Sequence, residues 1–488
     1  MRATAATLAA GLLLAVAAHA DEARQISLGP GAVVETGGFD RVEVRGLSGT
    51  VSARVGAAGE LRYECRALDN RRTERSLELW AEGRTLRLTP PREPAPERRL
   101  VELTLPPELA FRFEGNDSSV QLGGLHGTAE IRGARLQVLA RAIGGDLQFD
   151  VEAARVNVEG ANGQIGLETR QSQSLLSRVQ GAITVQVIGG SLEMNDVAGV
   201  EGEVEDGTFK ARTVSGPVEL EANRAKVDIG GLQRGAVLRL NETPLVLSGS
   251  RGTFQIDTDA EVQAQDLQGG SVTINSYGAN VRAAGINAPL ELTSGDAEVR
   301  LERLGAAARV SGDRLTLYVG GVKGKLDVQA HGSSVVVEDA GGGAEINNDF
   351  GDVVVRRASQ RVRITSTEGD VRVTEHAAPL QIAAAGTQVE VGYSAISGNE
   401  DSSVVNEQGA VNLRLPPKAA CQVRAESRSG SVRSELPGVT VNDDGSHASG
   451  VLLRAAKPVI SVVSEGDVTL AGGGGPAAPA GTPTSTPR

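Results

Sequence analysis

Apolar residues recur every 18 positions between residues 254 and 391. One series runs Phe254, Val272, Leu290, Ala308, Leu326, Ala344, Val362, Leu380. A second, two residues on, runs Ile256, Ile274, Leu292, Val310, Val328, Ile346, Ile364, Ile382. About half a period later come Val281, Val299, Leu317, Val335, Val353, Val371, Val389 and then Ala283, Leu301, Val319, Val337, Val355, Val373, Val391. The residue between paired positions is usually polar, so each pair marks a short strand with one buried face. A fixed period of this length is the signature of a solenoid. The expected fold is all-β: a parallel β-solenoid of 18-residue coils with two strands per coil. Its two sheets lie back to back, with coils stacked at ~4.8 Å.

The same interval spaces Gly127, Gly145, Gly163, Gly181 and Gly199 ahead of earlier strands, with one-residue drifts near 216 and 235. Glycine is expected at a corner where φ is positive or where two backbones approach closely. One coil buries almost nothing alone, so the stack needs neighbours and capped ends. The chain therefore divides into a leader at 1–20, an N-terminal β segment or cap at 21–100, and the solenoid at 101–395. A C-terminal β segment or cap at 396–470 and an unstructured Gly/Ala/Pro/Thr-rich tail at 471–488 complete it.

The leader has the form of a secretory signal: Arg2, an apolar core from Leu8 to Ala18, and Ala18-His19-Ala20 before Asp21. Export to the periplasm, the cell surface or the medium follows as an expectation. The core is too short for a membrane helix, so no membrane insertion is expected. Loss of Arg2 moves the net charge from −12 to −13. That acidity disfavours nucleic acid as a partner. Cys65 and Cys421 lie far apart in the chain and are expected to be buried thiols. Aromatic residues make up 2% of the chain, which suits a narrow aliphatic interior better than a sugar-stacking groove.

On the 18-residue grid Asp313, His331 and Asp349 share one turn position in three consecutive coils. Such a column has the donors for a divalent cation or for a base with its orienting carboxylate, although polar corners are ordinary on solenoids. Asp352 and Asp370 form a second aligned pair, read as a solvated face compensated by Arg356 and Arg372. The glycine-rich nonapeptide of calcium-binding β-rolls is absent, and no metal or cofactor is expected. On the second sheet the outward residue is usually charged, but in three successive coils it is Tyr318, Val336 and Val354. That apolar stripe, rimmed by arginine, is the expected partner-binding surface unless the C-terminal region covers it.

The order of an opening strand Phe39-Asp40-Arg41-Val42-Glu43-Val44, a strand pair closing on Gly83-Arg84-Thr85-Leu86-Arg87-Leu88, the strand Val101-Glu102-Leu103-Thr104-Leu105-Pro106-Pro107, and rungs such as Gly369-Asp370-Val371-Arg372-Val373 resembles the bacterial putative-adhesin families of exported β-solenoids. The resemblance covers most of the chain after the leader, and it implies a fold rather than a set of catalytic residues. No hydrolase, zinc, phosphate-loop or dinucleotide motif is present. The expected function is non-enzymatic: an adhesin-like surface, or a spacer, that meets a protein or envelope polysaccharide. The alternatives are a polysaccharide-binding or polysaccharide-cleaving β-helix and a periplasmic scaffold.

Overall fold

A computed structural model describes residues 13–14, 24–27, 33–68, 76–91, 98–386, 388–453, 455 and 457–473. The leader, apart from Leu13–Leu14, and the tail beyond 473 lie outside the described residues. Among the described residues every regular element is a strand, and no helix is long and apolar enough to cross a membrane. The chain forms two compact units, Met1–Pro244 and Leu245–Arg488.

In the second unit the strands alternate between two parallel sheets. The first sheet stacks Val272–Tyr277, Leu290–Gly295, Ala308–Asp313, Leu326–His331, Ala344–Asn348 and Val362–Ser366, each on the next. The second stacks Val281–Ala284, Glu298–Leu304, Thr316–Val322, Ser334–Ala340, Val353–Arg356 and Val371–His376. Partners at these joints lie 18 residues apart, as the periodicity predicts. All thirty positions of the apolar series are buried, none more than 4% exposed. Each aliphatic side chain rests on its copy one rung away, which fills a narrow interior without aromatics.

The exceptions are local. Leu245 pairs with Val262 and Val262 with Val281, so one coil is a residue short and the next a residue long. The frame is restored within two rungs. Ile382 pairs with Val404, where a loop of four extra residues enters the coil.

The first unit follows the same plan. Ala129–Ala134 stacks on Leu147–Glu152, and Gln137–Ile143 on Arg155–Ala161. Pairing continues from coil to coil through Ile165–Val214, with left-handed corners at residues such as Gln171, Arg178, Asp196 and Asp206.

Both units turn their corners on left-handed residues, and many of these are not glycine. At one corner of the first unit they include Asp117, Arg135, Ala153, Gln171, Asp206 and Arg224; the second unit continues the type with Asp296 and Arg314. The glycines that open earlier strands have a different reason to be there. A Cβ on Gly145 would lie 2.3 Å from the carbonyl oxygen of Gly127, and one on Gly163 the same distance from that of Gly145. Of the two roles expected for glycine, those positions need close backbone approach; the φ requirement sits elsewhere on the coil.

At the two ends of the chain, spatial order departs from chain order. Arg41–Arg45 and Gly49–Val55 lie between the later strands Thr85–Thr89 and Arg99–Leu105 on one side and Ala110–Glu114 and Ser118–Gly123 on the other. At the other end Val459–Ser464 inserts between Ser402–Asn406 and Cys421–Ser427, although it is made after both. Antiparallel strands then close each stack: Glu60–Ala67 on Arg99–Leu105, and His447–Leu452 on Cys421–Ser427. They cover edges that would otherwise template further pairing. Cys65 and Cys421 sit inside these terminal layers as buried thiols.

Candidate functional site

With the interior mostly aliphatic, the solvent-accessible chemistry lies on the outward columns. On the first sheet of the second unit the strands present three such columns. The first holds Thr273, Glu291, Arg309, Asp327 and Glu345. Its charges engage one another: Arg309 Nη2 lies 3.2 Å from Asp327 Oδ2, and Lys325 Nζ beside the column lies 2.7 Å from Glu345 Oε2.

The second column is uncharged for six consecutive rungs: Asn275, Thr293, Ser311, Gln329, Asn347 and Thr365. Neighbours hydrogen-bond along the stack. The Thr293 and Ser311 hydroxyls are 3.1 Å apart, and Asn347 Nδ2 donates to Gln329 Oε1 at 3.1 Å. Below Asn275, its Nδ2 donates to Asp257 Oδ1 at 2.6 Å.

The third column, at the corner, is Tyr277, Gly295, Asp313 and His331, in register rung by rung. Asp349 follows with a carboxylate oxygen 3.5 Å from His331 Nδ1. The phenylalanine after it, Phe350, packs edge-on to the His331 ring at 5.1 Å between centroids. Buried polar side chains fix this corner from inside. Ser333 donates to the His331 carbonyl at 3.0 Å and accepts from the Leu315 amide at 2.8 Å. The fully buried Asn348 donates to the Ser333 and Gly351 carbonyls at 2.8 and 3.0 Å, which sets the turn that carries Asp349 and Phe350.

Asp313, His331 and Asp349 therefore stand in one column, as their spacing requires. The close contact joins His331 and Asp349, and among the described residues no group of three His, Cys, Asp or Glu side chains is close enough to hold a metal ion. All three are exposed.

The column of Tyr318, Val336 and Val354 is likewise in register on the second sheet, bounded by Arg300 and Arg372. The three side chains are half-buried. The Arg300 guanidinium stacks 4.7 Å from the Tyr318 ring centre, and the phenol reaches Glu338 at 3.3 Å. The ring lies over Gly320, where a Cβ would meet it at 3.1 Å. Burial and the Glu338 carboxylate together hold the phenol above its usual pKa. The C-terminal strands extend the two sheets, Ser402–Asn406 on Leu380–Ala384 and Ala410–Leu415 on Gln388–Tyr393.

Asp352 is exposed and Asp370 half-buried, as a solvated face requires, and the two are linked through the backbone. Asp352 Oδ1 accepts the Asp370 amide at 3.0 Å and so caps the next rung. Arg356 pairs with Glu338, and Arg372 with Glu390.

Sequence reasoning passed over the uncharged ladder and its aromatic flank. The signal was available on the same grid: six amide or hydroxyl residues at 275 and every 18 beyond it, beside Tyr277 and Phe350, in a chain with few aromatics. Among the described residues Tyr277, 65% exposed, and Phe350, 42%, are the exposed large aromatics, and both lie on this corner.

Residues 327–471 match the protein-family model Toastrack DUF4097. The span begins in the strand Leu326–His331 and ends in Val468–Gly472, so it includes the reordered C-terminal layers. No curated protein matches the chain. A solved structure that it matches is that of a "putative cell adhesion protein" from Clostridium sporogenes ATCC 15579. The two are 8% identical, the match covers 93% of this chain and 100% of that one, and the TM-score is 0.12, too low to carry an argument.

Proposed function

We propose that this protein is an exported, non-enzymatic, adhesin-like β-solenoid whose outward sheet faces bind a macromolecular partner at the cell envelope. The observation that carries the reading is the division of labour in each coil. The buried positions are explained by stacking alone, while the outward positions form ladders that repeat one rung at a time over many coils. A ladder presents the same kind of group at a fixed spacing, which suits an extended partner with many weak contacts rather than one small substrate. Charged groups on these faces are mostly in ion pairs along or between rungs, as with Arg356 and Glu338 or Arg372 and Glu390. Such pairs steer and orient a partner more than they bind it. The signal-like leader and the acidic charge support export and argue against nucleic acid as the partner.

The test is direct. Labelled protein beginning at Asp21 is titrated onto isolated cell envelopes, and saturable binding competed by unlabelled protein is expected. Absence of saturable binding would overturn the proposal. So would turnover of a polysaccharide that is abolished in Asp313→Ala or Asp349→Ala.

A further inference from the structure

We infer that the corner edge of the first sheet in the second unit is a binding surface for a neutral, hydroxyl-rich polysaccharide laid along the stacking direction. The inference rests on the reading of the protein as a binding solenoid and names the face and the class of partner.

Three independent features meet there. The first is the ladder Asn275, Thr293, Ser311, Gln329 and Asn347, which offers both donors and acceptors at each rung and carries no charge. A polymer that repeats hydroxyl groups along its length can satisfy such a ladder; a polyanion gains nothing from it. The second is aromatic. In a chain whose aromatics are mostly buried, Tyr277 and Phe350 are left in water on this corner. Tyr277 projects from the same strand face as Asn275, since residues 273, 275 and 277 alternate with the buried 272, 274 and 276. Exposed rings beside hydrogen-bonding groups are what a sugar needs, because its C–H faces are apolar and its rim is polar.

The third is spacing. Tyr277 and His331 are three rungs apart, roughly 14 Å at the rung repeat of parallel strands. His331 holds Phe350 by an edge contact. The two aromatic positions thus bracket a stretch that a short oligosaccharide spans, with Asp313 and Asp349 exposed along the same edge as further acceptors. Those carboxylates, with a formal net charge of −12 on the chain, also disfavour an acidic polymer. Leu175, an apolar side chain of the first unit that is 40% exposed, serves as a control.

Affinity electrophoresis of the whole chain in gels containing dextran, laminarin, yeast mannan or polygalacturonate tests the inference, with chitohexaose as a soluble competitor. Retardation by at least one neutral polymer and none by polygalacturonate is expected. Tyr277→Ala and Phe350→Ala should each weaken it roughly ten-fold, the share of a well-placed aromatic contact, and Leu175→Ala should leave it unchanged. Both substituted rings are exposed, and an unchanged thermal midpoint confirms that the fold survives. No retardation by any neutral polymer overturns the inference, as does retardation indifferent to Tyr277→Ala and Phe350→Ala. Envelope binding that persists in both variants would sink this face alone and leave the broader reading standing.

Discussion

Arg135 closes Nε and Nη2 on the two carboxylate oxygens of Asp117, each at 2.7 Å, from the same corner of the next coil. Both residues are left-handed, with φ of 55° and 53°. The same arrangement joins Arg224 to Asp206 and Arg357 to Asp339. Left-handed backbone is unfavourable for any residue with a Cβ.

That strain gives a first prediction at Ala153, which sits in this corner column at φ 49°. Ala153→Gly should stabilise the protein by about 1 kcal/mol, the left-handed cost relieved less the added freedom of the unfolded chain. Ala153→Val should destabilise it by more than that, since branching at Cβ worsens the clash. Urea unfolding of the two variants checks the pair. If glycine destabilises, the corner is not strained.

Glu43 gives a second. Its side chain is 5% exposed and touches Arg87, Arg45 and Arg112. Burial pushes its carboxyl pKa up, but the Arg87 hydrogen bond and the three guanidinium charges outweigh it, and the net shift is downward. A carboxyl with a lowered folded pKa adds stability above its unfolded value, near 4.5, and loses it as pH falls through the folded value. Glu43→Gln should therefore cost about 2 kcal/mol at pH 7, less than a fully buried pair because the arginines stay partly in water. The variant and the parent should converge in thermal melts as pH falls from 4.5 through the lowered folded value, by the same linkage. A difference that persists in acid would assign the effect to packing.

His376 behaves in the opposite chemical sense. It is wholly buried where the register slips between Val373 and His376, with the Tyr393 ring at 5.6 Å. Burial lowers its pKa from 6.5, while backbone carbonyls nearby work weakly against the shift. The unfolded chain therefore takes up a proton that the folded chain refuses. Stability is complete above about pH 6.5 and falls as pH drops through that value toward the folded pKa. His376→Phe should flatten the thermal midpoint between pH 7.5 and 5. An unchanged slope would place the acid sensitivity elsewhere.

The core of the solenoid was legible because it depends on one number. Once 18 is found, the burial of Val337 or Ile364 follows without reference to any other residue. The ends were not legible in the same way. Nothing in the pattern of Val459–Ser464 says that it inserts between two earlier strands, since period-two alternation fixes a face and not a neighbour. The corner Asp313–His331–Asp349 was visible as a column, but its aromatic flank was missed because Tyr277 belongs to the strand face and Phe350 to a turn.

Gly145 distinguishes the two reasons for glycine in a repeat. It is not among the left-handed residues, so alanine would meet no backbone penalty there, and by local propensity Gly145→Ala should be mildly stabilising. Its Cβ, however, would lie 2.3 Å from the Gly127 carbonyl oxygen and 2.4 Å from that of His126. Neither atom belongs to a flexible side chain, so relief requires two coils to separate locally and weakens the Leu147 amide bond to the Gln164 carbonyl that follows. The expected cost is on the order of 2–3 kcal/mol, in the range of an overpacked core. By contrast, Gly83→Ala at φ 56°, with nothing within 4 Å, should lose only the left-handed cost less the unfolded-chain entropy that alanine removes, about 1 kcal/mol. Hydrogen exchange separates the two cases: Gly145→Ala should expose amides on the coils to either side, and Gly83→Ala should leave the stacked coils protected. Equal protection in both variants would mean that close coil packing is not what selects glycine at the strand start.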